Sequence, residues 1–274
     1  MCGAADRTLV YRLGPFGVVR CTACQLHYLS PRLPEDAMLE LYRSGEYFEG
    51  GDVGYDSYAD QAPALRATFR RVVAHLVRSG FAGGDLLEVG CGYGFLLDEA
   101  RRVFRSCTGT EFSDDAAAAA RDRGLEVFTG GIDALPPDRR FDCIVCAHVV
   151  EHVYDPRGFV ASLRPLLRPG GSVVLGTPDM GSLWRRSMRS RWPSFKVPEH
   201  VLYFDRRSLT SLLVDAGFEQ VRSFPYPHSF PLALVATKLG LGGLGRRAGR
   251  FGTLPIRFPA TTLALSGRLL TESA

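Results

Sequence analysis

Several groups of residues in this sequence carry side chains or main chain suited to chemistry. The first is Leu87-Glu88-Val89-Gly90-Cys91-Gly92-Tyr93-Gly94. A glycine-rich turn after an apolar run lets the main chain approach a ligand, because no Cβ intervenes. The N–H groups of a following helix then point at that ligand. A dinucleotide fingerprint places its third glycine three residues after the second. Here Phe95 holds that position and the third glycine comes early, at Gly94, which disfavours a pyrophosphate and suits a smaller zwitterionic amino-acid group. The second is Glu111, about twenty residues beyond the turn, where a carboxylate can accept both hydroxyl protons of a ribose. The third is His148 with Glu151 and His152, directly after an apolar run at 143–147. Histidine is the side chain whose ordinary pKa best suits a base near neutrality. Further on, Trp192, His200, Tyr203 and Phe204 form a second aromatic and histidine-bearing group.

The cysteines divide into two kinds. Cys21-x-x-Cys24 follows a hairpin pattern and resembles half of a zinc ribbon, which needs four ligands, typically two such pairs. Met1-Cys2-Gly3 reads as the end of the other pair, so zinc is an expectation at Cys2, Cys21 and Cys24; His27 stands at poor spacing for a fourth ligand. Cys143 and Cys146 also read Cys-x-x-Cys, but on a buried strand positions three apart face opposite sides. They are expected in the core.

These residues need elements to position them. Residues 1–33 read as a cysteine-containing β-hairpin module, with Leu9–Leu13 and Phe16–Arg20 flanking the Gly14-Pro15 turn. Residues 34–80 read as a helical cap, with helices from about Pro34 and from about Pro63 to Arg78 and a Gly/Tyr-rich loop between them. Strand, glycine turn and helix then alternate through 81–227, the pattern of a parallel, doubly wound α/β sheet. Strands are expected at 86–89, 108–112, 126–129, 143–147, 172–176 and 219–224, with Ser113 capping one helix and Ser208 another. Residues 228–274 form an apolar, basic tail, with Arg246, Arg247, Arg250, Arg257 and Arg268 against Glu272.

Together, Glu88-x-Gly90-x-Gly92-x-Gly94, Glu111, Phe141-Asp142, His148-Val-Val-Glu151-His152 and Leu167-Arg-Pro-Gly-Gly171 resemble the motif series of class I S-adenosylmethionine-dependent methyltransferases. The subgroup they are most similar to holds ubiquinone-biosynthesis O-methyltransferases and natural-product and sugar enzymes. The resemblance implies a mostly parallel, seven-stranded Rossmann-like sheet and S-adenosylmethionine as cofactor. It implies main chain at Gly90 and Gly92 around the amino-acid end, Glu111 on the ribose and Phe112 against the adenine. Many relatives carry an acid after the third strand for the adenine amine. Here Gly130-Gly131-Ile132-Asp133 departs from that, leaving main-chain Ile132 or Asp133. His148 is either a base or a floor touching the methionine end, and His200, in His-x-x-Tyr-Phe, belongs to an acceptor pocket and is a second candidate base. Glu151 and His152 can form part of a metal site in such relatives. Tyr47, Phe48 and Tyr58 are expected to close over the cofactor.

The remaining composition narrows the partners. The chain has 274 residues, 33 Lys+Arg against 29 Asp+Glu, and a formal charge of +4. Lys196 and Lys238 are its only lysines. No dense basic stripe with interleaved aromatics argues for nucleic acid. No apolar run approaches the ~20 residues that span a bilayer, and the start lacks a charged-then-apolar leader. The expectation is a cytoplasmic enzyme with reduced thiols, acting on a small-molecule hydroxyl, its tail capping a pocket, meeting a second subunit or touching a membrane surface weakly. Sugar C-methylation, a nicotinamide-dependent oxidoreductase and a non-catalytic cofactor-binding module are the competing readings.

Overall fold

The computed structural model describes residues 2–43, 61–238, 253–257 and 262–270. The Gly/Tyr-rich loop with Tyr47, Phe48 and Tyr58, and the arginines at 246, 247 and 250, lie outside the described residues. Three short strands open the chain: β1 (Arg7–Leu13), β2 (Phe16–Cys21) and β3 (His27–Ser30). Two helices follow, α1 (Glu35–Arg43) and α2 (Ala62–Arg78). A distant two-residue strand, β9 (Leu202–Tyr203), pairs antiparallel with β3. The N-terminal hairpin is thereby stitched to the segment after residue 180, around a core of Val18, Leu29, Met180, Trp192, Phe195 and Tyr203.

The main sheet is built from β4 (Asp85–Val89), β5 (Ser106–Glu111), β6 (Glu126–Thr129), β7 (Phe141–Ala147), β8 (Leu167–Pro178), β10 (Glu219–Ser223) and β13 (Thr262–Arg268). Its order is β10-β13-β8-β7-β4-β5-β6. Strands β4 to β8 run parallel, while β13 runs antiparallel to both of its neighbours. The chain leaves β4 toward β5 and β6 and later returns to the other side of β4 as β7. A crevice therefore opens beyond the carboxyl ends of β4 and β7, where doubly wound sheets take their ligands.

Helices cover both faces. Val72 and Leu76 of α2 and Leu96 and Leu97 of α3 (Phe95–Ala100) bury one face with Cys143 and Val145. Val160 and Leu163 of α5 (Pro156–Leu163) and Leu209 and Leu212 of α7 (Arg206–Asp215) bury the other with Ile144 and Cys146. Cys143 and Cys146 thus face opposite layers, as strand alternation requires. Ser113 caps α4 (Asp114–Asp122) by accepting from Ala116 N–H. The expected Ser208 cap is displaced by one turn. Asp205 caps α7, accepting from Ser208 N–H at 2.8 Å while Ser208 Oγ accepts from Asp205 N–H at 3.0 Å. This reciprocal pair satisfies two orphan amides, which a lone Ser208 cap would not.

The sheet extends beyond residues 81–227. Its antiparallel strand β13 comes from the segment read as a tail, and Leu265 there is 1% exposed between β8 and β10. The run Thr262-Leu-Ala-Leu-Ser-Gly is short and lies among glycines and arginines, so its local pattern does not announce a central strand. The rest of this segment includes β11 (Ser229–Pro231), paired with β12 (Pro255–Arg257), and α8 (Leu232–Lys238). No helix among the described residues is long and apolar enough to cross a membrane.

Because β13 is interior to the sheet, Leu265→Ala is expected to cost about 2–5 kcal/mol in urea unfolding, the range for emptying a buried leucine site. A loss within about 0.5 kcal/mol, as for a surface tail, would contradict this placement.

Candidate active site

The turn after β4 bends because Gly90 takes φ +70° and Gly92 φ +51°. A Cβ on Gly90 would also stand 2.6 Å from Val149 Cγ2, on the loop after β7. The turn is held from the next strand. Glu111, at the end of β5, accepts from Gly92 N–H at 2.8 Å through Oε2 and from Ser113 N–H at 2.9 Å through Oε1. Burial raises the Glu111 carboxyl above its ordinary range, against the amides of Ser113, Gly92 and Phe112, which lower it. Each carboxylate oxygen keeps a second lone pair for a ligand hydroxyl. Glu88 is fully buried, its Oε2 has no hydrogen-bond partner among the described residues, and burial with the nearby Glu111 charge raises it well above the carboxylate range.

At the end of β7, His148 adopts φ +59°, a left-handed conformation that is uncommon for a side chain of this kind. Its N–H donates to Gly176 O at 2.7 Å, which fixes that geometry against β8. The ring's Nδ1 lies 3.2 Å from Glu151 Oε1, and its Nε2 is buried without a partner among the described residues. Burial alone would raise Glu151, but the His148 hydrogen bond and the imidazoles of His148, His152 and His200 hold it down at about 2. His152 sits 3.1 Å from Glu199 O through Nδ1 and meets the His200 ring edge-on at 4.7 Å. One ligand atom each from Glu151, His152 and His200 falls within 4.8 Å of the others, close enough to converge on a cation.

These residues surround a cavity of about 440 Å³, within the size range of small-molecule sites. Glu88, Gly90, Gly92, Glu111 and Phe112 line it, as do Gly131, Ile132, Asp133, His148 and His152. Two of the residues expected to bind the cofactor or act as base do not. Gly94 caps α3 at φ +71°, where a Cβ would come within 2.5 Å of Leu125 Cδ1, so it serves packing. His200 is 5% exposed, bonded through Nδ1 to Ser194 O at 2.9 Å, and lies behind His152 rather than on the cavity wall. Trp192, Tyr203 and Phe204 are likewise core, because β9 pulls their segment against β3. The cavity wall that the sequence left unassigned comes from Tyr226, His228 and Phe230, with Leu65, Thr68 and Phe69 of α2. Their signal was weak, since the 226–230 run carries no motif and α2 reads simply as amphipathic.

A switch-point crevice, a glycine turn after the central strand and an acid closing the next strand define a Rossmann-like, S-adenosylmethionine-dependent methyltransferase. The chain belongs to the methyltransferase-domain family, matching its model over residues 58–223. It is 32% identical over 177 residues to a probable S-adenosylmethionine-dependent methyltransferase of Mycolicibacterium smegmatis, covering 63% of this chain and 67% of that protein. It is 31% identical over 134 residues to the mitochondrial ubiquinone biosynthesis O-methyltransferase of Schizosaccharomyces pombe, covering 46% and 47% of the two chains. The match thus spans about half the length of the S. pombe protein. The fold is shared with magnesium protoporphyrin IX methyltransferase from Synechocystis, solved with bound S-adenosylhomocysteine (TM-score 0.55, 15% identity, covering 86% of this chain and 99% of that one).

The residues present fit the cofactor. Glu111 would offer acceptors for a ribose diol, and Glu88 Oε2, buried without a partner among the described residues, would offer a polar atom to the cofactor. Phe112 offers an apolar face beside Gly131, whose Cβ would lie 3.3 Å from the ring.

If Glu111 binds the ribose as a carboxylate, S-adenosylhomocysteine affinity depends on its charge. Burial favours the protonated form, so affinity should fall as pH drops, beginning above the ordinary value of about 4.3. Calorimetric titration should show Glu111→Gln binding about 10- to 100-fold more weakly at neutral pH, as expected for charge-assisted hydrogen bonds, and with a shallower pH slope. Unchanged affinity in Glu111→Gln would exclude the ribose role.

Proposed function

We propose that the enzyme methylates a hydroxyl oxygen of a small-molecule metabolite, with His148 as general base. One observation carries this reading: buried Glu151 engages Nδ1 of His148, while Nε2 of this cavity-lining histidine is buried without a partner among the described residues. The Glu151 carboxylate favours the tautomer with its proton on Nδ1, which leaves the Nε2 lone pair free to take a proton. It also stabilises the imidazolium that results, as the buried acid does in a histidine-centred triad. When bound, S-adenosylmethionine supplies an electrophilic methyl group on a cationic sulfur, so an acceptor oxygen needs only placement and deprotonation. The left-handed backbone of His148 projects the ring from the end of β7, and the bond to Gly176 O holds it there. Glu88, Gly90, Gly92, Glu111, Phe112 and main-chain Ile132 make up the proposed cofactor set. The name of the S. pombe relative supports a quinone-like acceptor among the candidates, and the free thiols support a reducing, cytoplasmic setting.

His148→Gln should keep S-adenosylhomocysteine affinity within about twofold and lower turnover about 10²- to 10⁴-fold, the usual worth of a positioned base. The assay follows S-adenosylhomocysteine release over a panel of phenols, sugar alcohols and quinols, beside calorimetric binding. Near-normal turnover in the variant defeats the base assignment.

A separate observation favours zinc in the N-terminal module. Sγ atoms of Cys2, Cys21 and Cys24 fall within 4.8 Å of one another, and the Cys2–Cys21 pair is 3.5 Å apart. Thiolates so placed supply three ligands of a tetrahedral site. Elemental analysis of purified protein should find about one zinc per chain, lost in Cys21→Ser, with the methyltransferase fold retained. Metal-free wild-type protein would refute the site.

A further inference from the structure

The N-terminal module is tied to the reacting end of the enzyme by main-chain bonds. Gln25 N–H donates to Cys21 O at 3.1 Å and Cys21 N–H to Leu26 O at 3.0 Å, closing the turn that carries Cys21 and Cys24. Leu26 is buried in one apolar cluster with Val150, Val201 and Leu202, and Cys24 packs against that cluster. β3 continues from the turn, and Leu29 N–H donates to Val201 O at 3.0 Å. Tyr28 stands opposite Leu202, and His27 opposite Tyr203. β9 has no other strand beside it among the described residues, so β3 sets its place. The amides of Val201 and Leu202 then both donate to Glu151 O, at 2.9 and 3.0 Å. Glu151 is the residue whose carboxylate meets His148 Nδ1 at 3.2 Å. A second clasp holds the same loop further on. Tyr154 Oη donates to Leu33 O at 2.6 Å, and the Arg32 guanidinium lies 4.5 Å over the Tyr154 ring. The cofactor turn takes its support from within the sheet instead, through Glu111 to Gly92 and Ser113.

We infer that the N-terminal module is a positioning element for the His148–Glu151 pair, acting through β3 and β9, so that metal at its three thiols governs turnover and leaves cofactor binding alone. A cation shared by Cys2, Cys21 and Cys24 stiffens the turn, because metal binding in a small module is coupled to its folding. With the turn loosened, β9 loses the register that β3 gives it, and the two amides on Glu151 O drift. A misplacement of about 1 Å at a reacting group costs about 10²-fold in rate, even when its cause lies far from the chemistry. The inference rests on the zinc and base readings above, and each can fail separately.

The test follows amide hydrogen exchange by mass spectrometry in the full chain saturated with S-adenosylhomocysteine, before and after a zinc chelator. Exchange at Val201 and Leu202 should rise about tenfold on chelation, as when each loses a hydrogen bond, while Gly92 stays protected. With an acceptor that the wild type methylates, kcat should fall about 10- to 100-fold and S-adenosylhomocysteine affinity stay within about twofold. Zinc chloride should restore both exchange and kcat in the wild type, and neither in Cys21→Ser. Leu29→Pro lacks the N–H that meets Val201 O, so it should show the same two changes with zinc still bound. Unchanged exchange or kcat in Leu29→Pro overturns the positioning role, and the same result on chelation overturns the metal's control of it. A matching loss of S-adenosylhomocysteine affinity overturns the restriction to the reacting pair. If the wild type carries no zinc, the metal reading fails and Leu29→Pro decides alone. If His148→Gln turns over normally, the base reading fails, and exchange at Val201 and Leu202 still decides the coupling.

Discussion

One buried carboxylate organises the cofactor half of this enzyme. Glu111 reaches back from the end of β5 to the Gly92 amide and forward to the Ser113 amide, tying the glycine turn to the cap of the next helix. Main-chain donors converging on a carboxylate stabilise its charge, while burial opposes it, and the balance leaves an acceptor poised for a diol. The switch point at β4 brings the other parts to the same place. Gly90 must approach Val149 closely, so the turn after β4 and the loop after β7 form one surface.

The reacting end depends on a second carboxylate. Glu151 remains charged in the interior because imidazoles surround it on several sides, and it engages His148 through Nδ1. His152 and His200 complete this cluster at different depths. His152 reaches the cavity, and His200 supports it from behind through their edge-on ring contact. A strained backbone at His148 is tolerated because the Gly176 bond and the packed sheet over-determine it.

The methyltransferase half was legible in the sequence because its signals are local. A strand followed by Gly90-x-Gly92-x-Gly94 and an acid twenty-odd positions on report a main-chain geometry that few other residues satisfy. Ser113 and Pro156 announce their helices by the same local logic. Other features depend on contacts distant in sequence. His200 and Tyr203 look like pocket residues in isolation, yet pairing of β9 with β3 turns their segment into core. His228 carries no motif, and only the bonds of its neighbour Ser229 to Thr68 and Arg71, with its own contact to Thr262, place it at the cavity.

The sequence by itself determined the fold family, the methyl donor and the three thiols that converge in the N-terminal module. Short-range patterns of glycine, acid and cysteine carry those features, because each reports a local main-chain or ligand geometry. Only the tertiary structure decided that the apparent tail supplies the antiparallel strand beside β8 and a wall of the cavity. An antiparallel strand inserted between two others needs its partners' register and burial, not a pattern within its own seven residues. Whether a histidine stands at the cavity or behind it is likewise set by packing across the fold.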